Sequence, residues 1–333
     1  MAADLLVDTR CRTLSTAVRQ RIAYTGERYK GAHQEVQAHP GKPLIPAADT
    51  WEQALLETEF LHRGGELGSA SQHPMGIVRI RPYPDRLTVV LDNEPYVIRY
   101  WVDRLLPVDS GPADEIRGIC GLRYSRTGHH VRLYRQDTAT AIDLTGFNPH
   151  WWDRAVDAAV VDARAQDATP CFTGATAPWT TAERDLHTAL ADTICDPHLG
   201  SRLLRRIRLT AFEGPYGGTD LWSHPAGRQR YDWILETLRG HDHSKLLALL
   251  TDPQTGVGLQ LRRRSCYCEQ AGMEDEGCTA VLESPDGVQR LLVRDLRWTV
   301  DEADLQCRTK YVTDRNRHAF SPWTEREDTR AVR

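Results

Sequence analysis

Short runs of alternating apolar and polar residues, separated by turn residues, constrain the fold of this chain most strongly. Residues 76–81 and 86–91 predict a hairpin around a Pro-rich turn, and residues 121–146 predict a three-stranded meander. Asn93 is expected to cap a helix through Val97, Trp101 and Leu105, and Asn148-Pro149 is expected to open another helix. Strands joined by short turns pair antiparallel, so the sequence predicts an α+β fold. The repeated order of hairpin and helix has two open interpretations, an internal duplication and chance.

The first 40 residues predict a basic helix pair. Apolar residues recur at helical spacing over residues 13–38, and Thr25-Gly26 interrupts the pattern. The pair carries six basic side chains, at Arg10, Arg12, Arg19, Arg21, Arg28 and Lys30. A helix-turn-helix on DNA is one interpretation; a docked pair with a solvated face is favoured, because two short helices lack the third of known DNA-binding folds. The pair resembles segments of proteins from bacterial mobile elements, and no residue role follows from that resemblance.

The remaining elements predict a helix followed by two folding units and a tail. A capped helix is expected from Trp51 to the Gly64-Gly65 break. In the second half, helices are predicted over residues 181–193, 201–209, 227–238 and 243–250, and strands over 257–267 and 279–294, with a Gly-rich loop after the second helix. The predicted organisation is a basic helix pair at 1–40, an antiparallel sheet domain with helices at 44–165, a mixed helical and β-hairpin domain at 179–320, and a flexible tail at 321–333.

Composition favours an ordinary globular protein and limits the charge argument. The chain is 40% hydrophobic and 26% charged, with a net charge of -4, so its overall field does not favour coating DNA or a membrane surface. Only four of the 42 Lys and Arg residues are Lys, a skew that high-GC coding also produces. The N-terminus does not have the cationic start and apolar run of a secretory signal, and no segment is apolar enough to span a bilayer. A soluble, cytoplasmic protein without a membrane partner is therefore expected.

Residues 261–278 combine three of the eight cysteines with a basic run. Uninterrupted strand alternation would place Cys266 and Cys268 on the polar face, beside Arg262 and Arg264. With Cys278 and a fourth ligand they could bind zinc. Cys307, His318 or one of three acids (Glu274, Asp275 and Glu276) could be that ligand. Free thiols are favoured, because the C-x-C spacing departs from zinc knuckles, and no other cofactor is indicated.

Residues 211–245 hold a second group of polar side chains among glycines. The candidates for acid-base or metal chemistry are Glu213, Asp220, His224, Asp232, His241 and His243. Their order matches no phosphate-loop, dinucleotide, nucleophile-elbow or H-E-x-x-H signature. Solvated turns and caps are the favoured interpretation.

The arginine runs are the main indication of a partner. At helical spacing Arg202, Arg205 and Arg206 share one face and leucines the other, which predicts a helix that buries leucines and exposes arginines. If the fold brings them to the surface that holds Arg262, Arg263 and Arg264, the six would form a phosphate-binding patch.

Three functions remain open at this point. The leading one is a non-catalytic protein that binds nucleic acid or a nucleic-acid-associated protein complex, because Arg runs are present and catalytic motifs are not. A metal-dependent hydrolase or nuclease built on the second group is an alternative. The other alternative is a structural or immunity-type protein that contacts another protein through exposed tryptophan, since Trp151 and Trp152 cannot both face inward on one helix. The sequence does not determine the oligomeric state.

Overall fold

A computed structural model describes ten stretches of the chain: residues 2–64, 73–111, 116–136, 138–173, 177–193, 196–210, 218–223, 232–238, 243–265 and 278–296. The first half contains α1 (Ala2–Thr25), α2 (Tyr29–Ala38), α3 (Trp51–Gly64), β1 (Ile77–Pro82), β2 (Leu87–Leu91), α4 (Pro95–Leu105), β3 (Val108–Asp109), β4 (Leu122–Thr127), β5 (His130–Arg135), β6 (Ala141–Thr145), α5 (Pro149–Ala165) and β7 (Thr169–Pro170). The second half contains α6 (Thr181–Thr193), α7 (His198–Leu204), β8 (Gly218–Ser223), β9 (Trp233–Leu238), α8 (His243–Leu250), β10 (Gln260–Ser265), β11 (Thr279–Glu283) and β12 (Arg290–Leu296). The fold is of the α+β class.

The first sheet has the strand order β1-β2-β6-β5-β4. Its outer pairs are antiparallel, as the predicted hairpin and meander require, but β2 and β6 run parallel, with Val89 opposite Leu144. Both of these residues are buried, and α4 packs against α5. The hairpin and the meander are confirmed, and the parallel junction that joins them into one sheet is new.

The geometry of this junction bears on the duplication. A symmetric pair of units would require a twofold rotation that superposes β2 and β1 on β6 and β5. Because β2 and β6 are parallel neighbours, the axis of that rotation would have to lie along the strands. That rotation would place the following helices on opposite faces of the sheet, whereas α4 and α5 pack against each other. The shared order of residues therefore does not correspond to a symmetric pair of folded units.

The two expected helix caps differ. Asn148 caps α5 as predicted, because its side chain accepts a hydrogen bond from the His150 backbone N–H at 3.1 Å. Asn93 does not cap α4: the N-cap is Glu94, which makes no side-chain cap bond. The Asn93 amide oxygen instead accepts from the backbone N–H of Asn148 at 2.7 Å, so that cap prediction was wrong.

The second sheet has the order β10-β11-β12-β9-β8, with β9 and β12 parallel and the other pairs antiparallel. Two predictions in this region were wrong. A helix was expected over residues 227–238, but β9 lies within that range. A Gly-rich loop was expected before it, but β8 lies there. Consecutive residues Trp233, Ile234 and Leu235 are all buried, because β9 is an interior strand that is covered on both faces. A short run of consecutive apolar residues fits both a buried helix and a buried strand, so the sequence does not distinguish them.

Helix α3 lies at the centre of the molecule. All but four of its 14 residues are buried, including Glu57 and Glu59, and α7 packs against it. Buried apolar residues of both sheets belong to one continuous cluster that includes Leu56, Leu199 and Leu291. The division into separate domains stays a prediction.

The basic helix pair is docked on the rest of the fold. Tyr24 donates a hydrogen bond from its hydroxyl to Leu249 O at 2.9 Å, and the Arg21 guanidinium, which is buried, pairs with Glu27 at 2.5 Å. Among the described helices, none combines the length and apolar character that a membrane span requires.

Candidate nucleic-acid interface

The arginines in and directly after α7, which are called the α7 run (Arg202, Arg205 and Arg206), do not form the exposed face that the sequence predicts. Arg205 is completely buried, and its Nε and Nη2 donate to the two carboxylate oxygens of Glu57 at 2.7 and 2.6 Å. Its Nη1 donates to Pro46 O and Tyr83 O, both at 2.8 Å. The expected exposure was wrong because α7 presents this side chain to α3, where a buried carboxylate receives it.

Arg206 and Arg202 are also engaged by the protein. Arg206 is buried; its Nε donates to Thr255 O and its Nη1 to Arg202 O. Burial, with a smaller contribution from the Arg202 charge, lowers the pKa of Arg206 to about 9. Arg202 is half-buried and donates to Val257 O at 3.0 Å. The prediction of an exposed patch is therefore wrong for Arg206 as well, and only Arg202 is partly open to solvent.

The arginines of β10 are exposed. This strand is the last of the second sheet as described, and residues 260–264 are all exposed. The Arg262 side chain is 77% exposed and lies 3.6 Å from Glu283, a carboxylate that also pairs with Arg290. Arg264 donates to the Ser244 hydroxyl at 2.9 Å. These side chains can therefore exchange their contacts for a ligand's oxygens.

The β10 arginines project to both faces of the sheet, and a β-bulge lies among them. The register with β11 shifts between Leu261 and Arg263. Arg263 lies opposite Val281, whereas Arg264 lies opposite the buried Ala280. Directly opposite residues project to the same face, so neighbouring arginines straddle the sheet edge. The bulge also breaks the uninterrupted alternation on which the phasing of Cys266 and Cys268 depended.

The predicted zinc ligands are only partly within the described chain. Cys278 is buried, and its backbone oxygen accepts from the Asp295 N–H at 2.8 Å. Cys266, Cys268 and Cys307 lie outside the described residues, as do His318 and the three acids. In the described stretches, no group of three or more His, Cys, Asp or Glu side chains is arranged to hold a metal ion. The zinc site stays a prediction.

The second group of polar residues is likewise divided. Glu213, His224 and His241 lie outside the described residues. His243 begins α8 and is buried, and Asp220 lies on β8 opposite Glu236. Asp232 accepts from the Arg290 N–H at 2.7 Å, and burial raises its pKa. Acid-base chemistry at these positions stays a prediction.

The tryptophan pair follows the expected division. Trp152 is completely buried, and Trp151 is partly buried against the core. The Arg154 guanidinium lies 5.7 Å from the centre of the Trp151 ring.

Sequence reasoning missed a basic cluster where the turn between α1 and α2 meets β1. Burial lowers the pKa of Arg79, and the nearby charges of Arg28 and Arg81 lower it further. Glu27 is 3.4 Å from Arg81 but is shared with Arg21. Two arginines spaced two apart on a strand share a face, and that spacing was the available signal.

Comparison with protein families, with curated proteins and with solved structures gives no significant match. The functional argument therefore depends on the residues and contacts described above.

Proposed function

We propose that this protein is a non-catalytic binding protein that attaches to nucleic acid, and that β10 contacts the phosphate backbone. The observation that carries the proposal is the run of five consecutive exposed residues on an edge strand, three of which are arginines. Arg is the side chain best suited to bidentate phosphate contacts. Side chains alternate along a strand, so these guanidinium groups lie on both sides of the edge.

Because the net charge of the chain is -4, the overall charge of the protein does not attract nucleic acid, and the attraction would come from local basic side chains. Three phosphate contacts give a slope of about -3 for log affinity against log salt concentration on duplex DNA, and a shallower slope on single strands. Contacts to phosphate carry no direct sequence information, so weak sequence preference is expected from β10 alone. The cluster of Arg28, Arg79 and Arg81 is a second basic surface that could extend the contact, and it is testable separately.

Fluorescence anisotropy with labelled duplex and single-stranded probes at low salt tests the proposal. The informative variant is R262Q/R263Q/R264Q, and the matched control is R126Q/R132Q/R164Q, which removes three exposed arginines elsewhere. The β10 variant should lose at least about tenfold in affinity, which corresponds to about 1.4 kcal/mol, while the control retains most of it. The proposal fails if wild-type protein does not bind at micromolar concentration, if binding is independent of salt, or if both variants lose affinity equally.

A protein partner is the second candidate, because the same edge could accept an added strand. Leu261 is 48% exposed beside the three arginines, and an exposed edge with an apolar anchor suits an acidic extended segment. Co-purification from native cells after nuclease treatment separates the two candidates. A partner that survives nuclease and is lost in Leu261→Ser would favour strand addition, whereas Leu261→Ser should leave nucleic-acid affinity within about twofold.

A further inference from the structure

The turn between α1 and α2 meets β1, the outermost strand of the first sheet, and this junction concentrates positive charge. Gly26 in the turn has a φ of +71°, and a Cβ there would lie 2.9 Å from Val78 O, so the two backbones are in close contact. Arg28 follows in the turn, and Arg79 follows on the strand. The junction therefore brings together arginines that are about 50 positions apart in the chain.

Arg81 extends this cluster to the first turn of α2. Beyond the bulge in β1, Arg79 lies opposite Val90 and Arg81 lies opposite Thr88, so both arginines project to the same face of the sheet. A Cβ on Gly31 would lie 3.0 Å from the Nη2 of Arg81, which places that guanidinium group against the start of α2. The strand thus contributes two guanidinium groups to the junction.

Two carboxylates lie in the same cluster, and both interact with arginines that are already paired. Glu27 is buried and lies 3.4 Å from Arg81, and its other oxygen accepts a hydrogen bond from Arg21. Glu35 also interacts electrostatically with Arg81. The negative charge of the cluster therefore compensates Arg21 and Arg81.

Arg28 and Arg79 have no such compensation. Arg28 is exposed and Arg79 is half-buried, and in the described part of the chain no carboxylate is bonded to either. Burial lowers the pKa of Arg79, and the nearby charges of Arg28 and Arg81 lower it further. Four arginines and two carboxylates leave two positive charges, which reside on Arg28 and Arg79. An anion would relieve the repulsion between them.

The start of α2 and the buried Arg21 add unused donors at the same junction. No side chain caps α2, so its first backbone N–H groups lack a side-chain acceptor and form the positive end of the helix dipole. Arg21 is 3% exposed, and its Nε and Nη1 donate to Glu27 and to Leu44 O. Its Nη2 is buried and has no hydrogen-bond partner among the described residues, which is rare for a buried donor.

The compactness of this cluster distinguishes it from β10. The β10 arginines follow one another at about 3.3 Å per residue, an arrangement that fits successive phosphodiesters with one negative charge each. At the junction, two uncompensated charges lie in one place. A phosphate monoester has a charge of about -1.5 to -2 at pH 7 and three acceptor oxygens, so it matches the junction better than a diester does.

We propose that this junction binds a terminal phosphate monoester of a nucleic-acid strand, with Arg28 and Arg79 donating to the phosphate oxygens. The inference rests on the proposed function, because it takes the strand from there, and it adds the chemical group that the strand presents. Inorganic phosphate shares the oxyanion chemistry that Arg recognises, and the experiment below separates the two sources.

Fluorescence anisotropy on the full chain compares short single strands of one sequence with the same internal label. One strand carries a 5′-phosphate, the second carries a 3′-phosphate, and the third has hydroxyl groups at both ends. At least one phosphorylated strand should bind at least about tenfold more tightly than the hydroxyl strand. R28Q/R79Q should bring that ratio to within about twofold of unity, whereas R126Q/R132Q, which removes two exposed arginines elsewhere, should keep it.

The same titrations separate this inference from the proposed role of β10. R262Q/R263Q/R264Q should weaken the binding of all three strands and leave their ratio unchanged. Equal affinity of wild type for the three strands, or a ratio that R28Q/R79Q does not change, would overturn the terminal-phosphate site and leave the β10 contact intact. A tenfold ratio together with full affinity of the β10 variant would support the site and contradict the β10 contact. No binding of any strand would overturn both.

Inorganic phosphate serves as the competitor. If it displaces the phosphorylated strand with the same affinity that the strand itself has, the occupant is free phosphate and the proposal fails.

Thermal unfolding separates lost binding from lost folding. Because burial and like charges disfavour the charged form of Arg79, R28Q/R79Q should keep or raise the wild-type melting temperature. Arg28→Gln alone, at an exposed position, should lower the ratio at least about threefold, and it gives a second measurement should the double variant be less stable. A ratio that Arg28→Gln does not change would contradict the assigned role of Arg28.

Discussion

The arginine runs of α7 and β10 look alike in the sequence and have opposite environments in the fold. At the C-terminal end of α7, Arg205 and Arg206 are buried and donate to a carboxylate and to backbone oxygens. In β10, Arg262, Arg263 and Arg264 are exposed at a sheet edge. The difference lies in the acceptors that surround each run. Helix α3 presents the buried Glu57 to α7, whereas β10 faces solvent beyond its partner β11.

This contrast shows why an arginine run does not by itself identify a binding surface. A guanidinium group has five N–H donors, and a fold can use all of them internally. Arg205 makes four hydrogen bonds within the protein, so it links the end of α7 to Glu57 of α3, to Pro46 before α3 and to Tyr83 in the turn after β1. Only arginines with donors left over can serve a ligand.

Breaking the Arg205 and Glu57 pair should have the largest effect. Arg205→Met leaves Glu57 buried without its partner, and removal of one member of a buried pair costs about 3–5 kcal/mol. The double variant E57Q/R205M should recover part of that loss, because no uncompensated charge remains. Urea denaturation measures both values. If Arg205→Met lowers the free energy of unfolding by less than about 1 kcal/mol, the Arg205 and Glu57 pair contributes no more than an exposed ion pair. The burial of Arg205 would then not distinguish it energetically from the β10 arginines.

The β10 triple variant should have the next largest effect, on binding rather than on folding. With R262Q/R263Q/R264Q, the salt dependence of nucleic-acid affinity should decrease by up to about three units of slope. Its free energy of unfolding should stay within about 0.5 kcal/mol of wild type, because exposed side chains contribute little to stability. A large loss of stability would mean that β10 arginines, like those of α7, are structural.

A half-buried histidine outside both runs, His187, provides a pH test of the effect of burial. Burial, with a smaller contribution from Arg135, lowers the pKa of His187 to about 4. Because this value is below the unfolded one, the His187 contribution is fully present above about pH 6.5 and is lost as the pH falls towards 4. After allowance for its partial exposure, the change is on the order of 1 kcal/mol.

Denaturation of wild type and His187→Gln between pH 7 and pH 4.5 measures this contribution. The variant should lose less stability than wild type across that window, and His130→Gln, at an exposed position, serves as the control. Parallel pH curves for wild type and His187→Gln would contradict the expected effect of burial.

Arg202 should give the smallest effect, as the half-buried member of the α7 run. Arg202→Gln removes one hydrogen bond to Val257 O, which is worth about 0.5–1.5 kcal/mol. Thermal and urea unfolding measure this loss, and nucleic-acid affinity measures whether the exposed part of the side chain also reaches a phosphate. A loss as large as that of Arg205→Met would show that partial exposure does not reduce a structural role.

Local signals in the sequence predicted the elements that depend on local chemistry. The Asn148 cap, the hairpin turn and the break at Gly64 each follow from residues a few positions apart. The strand β9 was missed because Trp233, Ile234 and Leu235 are apolar on every face and carry no period. The parallel pairing of β2 with β6 depends on segments about 55 residues apart, which no local pattern specifies.

The candidate sites show the same difference between features that depend on local sequence and features that depend on distant segments. The exposure of Arg262 to Arg264 agrees with a charged run on a strand, whereas the burial of Arg205 depends on Glu57, which lies 148 residues away. Sites assembled from such distant segments become visible only after folding.

The central position of α3 has a consequence for how the chain could be divided in the laboratory. Glu59 pairs with Arg135 within the first half, while Glu57 pairs with Arg205 from the second half. A fragment that ends at residue 165 would keep α3 and expose a carboxylate and an apolar surface that α7 covers in the whole chain. A fragment that starts at residue 179 would retain Arg205 without its acceptor. Expression of either half alone should therefore yield insoluble material, and co-expression of both halves should restore a soluble complex.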